Sequence, residues 1–177
     1  TEKETDPINS IQERTTTFTD AIHFLFGSPL LADGPAWKHY ELGDRRHYLV
    51  PCPECQTRQA LEFRGQVWAI DRATNELALL GKPGDFRLCW DQQARLDERT
   101  WDFEAVAKSA HYSCICCGAK IRDTDKREMN LAGGWVPTCR AQVAGYRSRR
   151  INSLYPLWGA TTFGQIATKF LSSHHTA

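Results

Sequence analysis

Two cysteine pairs constrain this chain more than any other feature: Cys52-Pro53-Glu54-Cys55 and Cys114-Ile115-Cys116-Cys117, the second followed by Gly118. Two residues between thiols let both sulfurs of a pair turn toward one tetrahedral ion, and two such pairs complete a four-sulfur shell. Between them, residues 56–113 hold few long apolar runs, so a metal would fasten the two ends of a region with a thin core of its own. The metal ligands predicted are Cys52, Cys55, Cys114 and Cys117, around one structural zinc per chain. Cys116, between ligands, is expected to point away from the ion, and the unpaired Cys89 and Cys139 to fill core. The competing reading of the 7 cysteines, a disulfide framework in a secreted chain, fits poorly with an odd count. A reducing cytosol suits them better.

A closed shell of four thiolates leaves no position for a substrate or water, so the zinc is read as structural rather than hydrolytic. Other catalytic signatures are missing. Gly81-Lys82-Pro83 lacks the glycine-rich lead and the Ser/Thr of a phosphate-binding loop, and Pro83 removes an amide the phosphate would use. The carboxylates Asp71, Asp85, Asp91, Asp97 and Asp102 form no convincing metal pair. No catalytic residue and no nucleotide site are expected within this segment.

At 177 residues, with 41% hydrophobic and 24% charged side chains, the chain is of globular composition. No run approaches the roughly 18 apolar residues of a membrane span, and Thr1–Asp6 does not resemble a secretory leader. The chain starts at Thr1 rather than Met, which suggests a piece of a longer polypeptide or a trimmed one. Charge is uneven: all 21 acidic residues lie at or before Glu128, whereas Arg140, Arg147, Arg149, Arg150 and Lys169 follow it. Arg147, Arg149, Arg150 and, earlier, Arg45 and Arg46 are candidates for DNA phosphate contact, because a guanidinium offers a planar fork of donors. A solvated basic surface explains the same residues. Tyr155, Trp158 and Trp135 read as core or interface anchors rather than base-stacking platforms.

The elements predicted make an α+β fold: a zinc ribbon with short antiparallel strands and a few peripheral helices, stabilised by the metal. Ala21–Phe26 reads as a buried central strand without sequence neighbours, hence the edge of another domain. A short helix over Ala36–Leu42 ends at Gly43. His47–Val50 leads into the first knuckle and Gln59–Phe63 away from it. Val67–Ile70, Leu77–Leu80 and Phe86–Trp90 are weaker strands. Asp102 caps a helix through Ala107, with Phe103, Val106, Ala107 and Ala110 inward. Asp123 or Thr124 caps a helix that closes at Gly133-Gly134, and Trp135–Pro137 is extended. Tyr146–Leu154 reads as a strand. Thr162 and Gln165 form a capping box for a last helix carrying Phe163, Ile166, Ala167, Phe170 and Leu171.

Taken in order, Asp44-Arg45-Arg46-x-Tyr48-x-Val50-Pro51-Cys52-Pro53-x-Cys55, Tyr112-x-Cys114-x-x-Cys117-Gly118, Gly134-Trp135, Ile151-Asn152-Ser153-Leu154-Tyr155 and Trp158 resemble the lambda-type phage terminase large subunit over about residues 8–173. The resemblance implies a DNA-packaging motor with an ATPase first and a nuclease last, this cysteine-bearing region lying at their junction. Residues 1–35 would be a remnant of the ATPase edge, 44–122 the zinc-ribbon module with a long insertion between knuckles, and 123–177 the passage toward the nuclease. The Walker motifs would precede residue 1 and the nuclease carboxylates would follow residue 177. Arg14-Thr15-Thr16-Thr17-Phe18 and Gly27-Ser28-Pro29 match part of a coupling segment, making Ser28 a coupling-loop candidate. Three places depart from the family: Leu30 where a hydroxyl residue is usual, Gln56 where Gly is common, and the region of Arg149-Arg150, near which the family tends toward an aromatic and a His. The implied partners are double-stranded DNA, the small terminase subunit, the portal and other terminase domains, with no membrane, in the cytoplasm of the bacterial host. The alternative is a stand-alone zinc-ribbon module that binds DNA or a protein.

Overall fold

The computed structural model describes residues 7–28, 34–98, 100–157 and 161–174, arranged as an α+β fold in two units. The first unit contains residues 1–45 and 139–148, the second 46–138 and 149–177.

In the first unit, α1 (Pro7–Glu13) and α2 (Pro35–Leu42) are the helices among the described residues. Pro35 begins α2, where its missing amide costs nothing, and the Gly43 amide closes it on Tyr40 O. Segment 139–148 folds onto this helix end. The Gln142 and Val143 amides both donate to Leu42 O, and the Ser148 amide donates to Asp44 Oδ1. The backbones meet so closely that a side chain at Gly43 would overlap Ser148, its Cβ lying 2.7 Å from Ser148 N. The apolar run Ala21–Phe26 is not the expected strand. It has no regular structure, and Ile22, Phe24 and Phe26 are well exposed. A strand buried on both faces needs neighbours at both edges, and none of the described strands pairs with it.

The second unit is built from two sheets. In the larger, β1 (Arg46–Pro51) is central. It pairs antiparallel with β2 (Arg58–Ala60) and with β8 (Gly134–Val136), and its first residues run parallel to β9 (Arg149–Arg150). The sheet continues through β3 (Val67–Ile70) to β4 (Leu77–Leu80), joined by a hairpin with Asn75 in the left-handed region. The smaller sheet is antiparallel: β5 (Leu88–Cys89), β6 (His111–Ser113) and β7 (Lys120–Ile121). Neither sheet closes into a barrel among the described residues. The expected strand over 146–154 shrinks to Arg149–Arg150, and that over 86–90 to Leu88–Cys89.

Three α-helices among the described residues complete the unit: α3 (Phe103–Ser109), α4 (Lys126–Leu131) and α5 (Phe163–His174). Asp102 caps α3 by accepting the Glu104 and Ala105 amides. Of its expected inward positions Val106 is buried, but Phe103 and Ala107 are exposed. Asp123 does not cap α4. Both its oxygens accept the Phe163 amide at the start of α5, and it ion-pairs with the buried Lys126 at 2.6 Å. The core joins Val50, Leu61, Leu88, Val106, Tyr112, Ile121, Leu154, Tyr155, Phe163 and Leu171.

Two tyrosines and two asparagines tie this core to β1. The Tyr155 hydroxyl accepts the Leu61 amide and donates to Tyr48 O, while Asn152 Nδ2 donates to Leu61 O. Tyr48 in turn donates to Asn130 O, and Asn130 Nδ2 donates to Tyr155 O. The Asn152–Tyr155 run thus carries backbone-satisfying hydrogen bonds rather than an exposed site. Trp158 lies outside the described residues.

Candidate metal centre

Each cysteine pair occupies the turn of a hairpin, the first between β1 and β2 and the second between β6 and β7. The two turns are built alike. Cys52 donates its amide to Thr57 O and accepts the Gln56 amide, and Cys114 donates to Ala119 O and accepts the Gly118 amide. The fifth residue of each turn is left-handed, Gln56 at φ 60° and Gly118 at φ 71°. In both turns the amides two and three residues after the first cysteine, those of Glu54 and Cys55 and those of Cys116 and Cys117, are directed at its sulfur.

The hairpins converge. The Sγ atoms of Cys52, Cys55, Cys114 and Cys117 all lie within 4.8 Å of one another. Cys52–Cys117 is 3.9 Å and Cys55–Cys114 3.7 Å. An ion with roughly 2.3 Å bonds to four tetrahedral sulfurs needs edges of about 3.8 Å. Disulfides need about 2.05 Å, and all seven cysteines are free, so the structure holds no disulfide framework. The residues present therefore fit a soft divalent ion of the kind four thiolates select.

Burial grades the site. Cys52 and Cys114 are buried, Cys55 is half-buried and Cys117 is exposed. Burial pushes the Cys52 thiol up to about 12, against the amides of Cys55 and Glu54, and raises Cys114 against those of Cys117 and Cys116. For Cys55 burial also raises the value. The Thr57 hydroxyl and amide, together with the sulfurs of Cys117 and Cys114, outweigh it and bring the thiol down to about 6. Four thiolates this close repel one another, and a dication held by them would offset that repulsion and displace their remaining protons.

The other expected site residues lie apart from the sulfurs. Cys116 is exposed and outside the cluster. Cys89 is half-buried, whereas Cys139 is exposed and donates to Gly43 O, so it does not fill core. Arg45 donates to Glu41 O. Arg46 and Arg149 are register partners, and the Arg149 guanidinium stands over the half-buried Trp135 at 5.7 Å. Arg150 turns the other way and ion-pairs with Glu62 at 3.3 Å. Arg147 and Ser28 are exposed in irregular segments. Sequence reasoning passed over Thr57, which follows the first pair closely enough to have been suspected, and Gln59, which looked like any strand residue.

Residues 1–135 match the family model described as phage terminase large subunit gpA, ATPase domain. The chain belongs to the phage terminase large subunit family. Both cysteine pairs fall inside the matched span, and the basic terminase residues Arg147, Arg149 and Arg150 fall beyond it. No curated protein and no solved structure matches the chain. No described helix of this terminase chain is long and apolar enough to cross a membrane.

Proposed function

We propose that this chain is the zinc-bearing coupling segment of a terminase large subunit that acts in viral DNA packaging. One observation carries the reading: four sulfurs from two distant hairpins meet at tetrahedral spacing. The hairpins together form a zinc-ribbon-like unit in which one zinc joins the larger sheet to the smaller. Its role is mechanical. A closed four-thiolate shell holds two sheets at fixed distance and offers no open position for chemistry. Residues 1–35 are assigned to the ATPase edge, 44–122 to the zinc module and 123–177 to the passage toward a nuclease, with Ser28 in the coupling loop. ATP hydrolysis and DNA cleavage are assigned to other parts of the terminase, and the segment's partners to duplex DNA, the small subunit and the portal in the host cytoplasm.

Metal analysis of the purified chain tests this reading. One zinc per chain is expected, lost in Cys52→Ser and Cys117→Ser, and a folded protein without metal would contradict it.

The second reading is a module that binds DNA or a protein without a motor. The side-by-side placement of Arg46 and Arg149 favours a polyanion partner. Duplex binding that weakens with salt, and weakens uniformly across sequences in Arg149→Ala, would support DNA contact. Unchanged affinity after replacing Arg46, Arg147, Arg149 and Arg150 would remove it.

A further inference from the structure

Gln59 is an anomaly in β2. It faces Val50 across one strand pair and Ala69 across the other, and like both of them it has 0% of its surface exposed. A central strand at such a position ordinarily carries an apolar side chain, because burying a primary amide costs free energy unless its polar atoms are paired. Only half of this amide is paired. Oε1 accepts the Ile115 amide at 2.9 Å, and Nε2 is buried without a partner among the described residues. The amide's orientation is not arbitrary, since a backbone N–H must meet the oxygen and so leaves the nitrogen as the orphan.

The partner explains the placement. Ile115 is the residue between Cys114 and Cys116, and its amide belongs to the second knuckle turn. Gln59 sits two residues past the first knuckle's Thr57, which itself touches Cys55 Sγ at 3.3 Å. One side chain thus spans from the strand leaving the first pair to the backbone of the second. Other bonds join the same strand exit to the smaller sheet: the Tyr112 hydroxyl donates to Ala60 O and accepts the Glu62 amide, and Phe63 O accepts the Leu88 amide.

We propose that Gln59 is a positioning residue of the metal centre, holding the Cys114–Cys117 turn at the distance from Cys52 and Cys55 that a four-sulfur shell requires. The proposal rests on the metal reading above. Gln59 makes no hydrogen bond to a ligand sulfur among the described residues; it acts through the Ile115 amide. Groups of this kind, one bond removed from the ligands, typically set metal affinity by about 10–100-fold. Nε2 is the cost of the arrangement, a buried donor tolerated because Oε1 is needed where it is.

Cobalt(II) titration of the whole chain, followed by its thiolate charge-transfer and ligand-field bands, separates the possibilities. Gln59→Met keeps the volume and removes the acceptor. The unsubstituted chain is expected to show a four-thiolate spectrum, and Gln59→Met a shifted ligand-field band with affinity reduced roughly 10–100-fold. If Gln59 only fills space in the sheet, thermal stability falls while spectrum and affinity stay as in the parent, and the proposal is overturned. If the parent itself gives no four-thiolate bands, the metal reading fails instead. Should Gln59→Met not fold, hydrogen exchange at the Ile115 amide of the cobalt-loaded parent decides: strong protection is expected, and free exchange overturns the proposal.

Discussion

At the scale of single residues, the two knuckles carry one asymmetry. Both need a left-handed residue in fifth place, and only the second supplies glycine. Gln56 holds φ 60° with its side-chain amide donating to Pro53 O at 3.1 Å, a partial return for the steric cost of a Cβ there. Gln56→Gly is therefore expected to stabilise the chain by about 0.5–1 kcal/mol in urea unfolding, with metal affinity unchanged. His47 supplies a second residue-level test. Burial, aided by Arg150, lowers it from 6.5 to about 4, and Glu62, 3.8 Å away, is itself raised by burial against Arg150 and Asn152. Since the folded imidazole resists protonation, the unfolded chain takes up its proton first as pH falls. Its stability contribution is complete above about pH 6.5 and is lost progressively toward pH 4. Glu62 acts in the opposite sense. Unfolding measured from pH 7 to 4 is expected to show a shallower decline in His47→Gln than in the parent; parallel curves would contradict the assignment. Thiol protonation at the metal centre is common to both chains and drops out of the difference.

The helices and strands show where local sequence suffices and where it does not. Helix α3 begins at Asp102, and Thr162 exchanges hydrogen bonds with Gln165 at the start of α5, as side-chain capping chemistry alone indicates. The strand entering the first knuckle was equally legible, but the one expected over Gln59–Phe63 ends at Ala60, and Ala60 and Leu61 are both buried, so the alternation read from the sequence does not hold there. What stayed hidden depends on distant partners. Asp123 reads as a cap for the helix next to it but serves α5 across the unit. The Ala21–Phe26 run has the apolarity of a central strand, yet no described strand lies beside it. The Arg149–Arg150 strand exists only because β1 offers it two residues of parallel edge. Gly164 gives the element-scale test. Helix propensity alone favours Gly164→Ala by about 1 kcal/mol. A Cβ at that position would stand 2.6 Å from Ala107 O and 2.9 Å from Ala107 Cα, backbone atoms of α3 that cannot swing aside. A net loss of about 1–3 kcal/mol is expected from thermal or urea unfolding, and a gain would mean the two helices do not pack this closely.

For the whole molecule the argument turns on how a modest core is held. The second unit divides its apolar residues between two small open sheets, and the knuckle sulfurs bring the sheets together where the chain between them, residues 56–113, is long. Closing a loop of that length costs entropy that a bound ion would offset in the folded state alone, which would link metal and folding. The four-cysteine cluster was the part of the candidate site most legible in the sequence, since its signal is spacing within each pair. The supporting groups were not, because Thr57 and Gln59 acquire their roles only when the hairpins meet. Chelation of the loaded chain is expected to lower its unfolding midpoint sharply, and to do so more steeply at lower pH, where thiols regain their protons. The most direct test is X-ray absorption at the zinc edge of the purified, metal-loaded chain. Four sulfur scatterers at about 2.3 Å are expected. A shell containing nitrogen or oxygen, or a chain that folds without holding zinc at all, would contradict a centre made by Cys52, Cys55, Cys114 and Cys117.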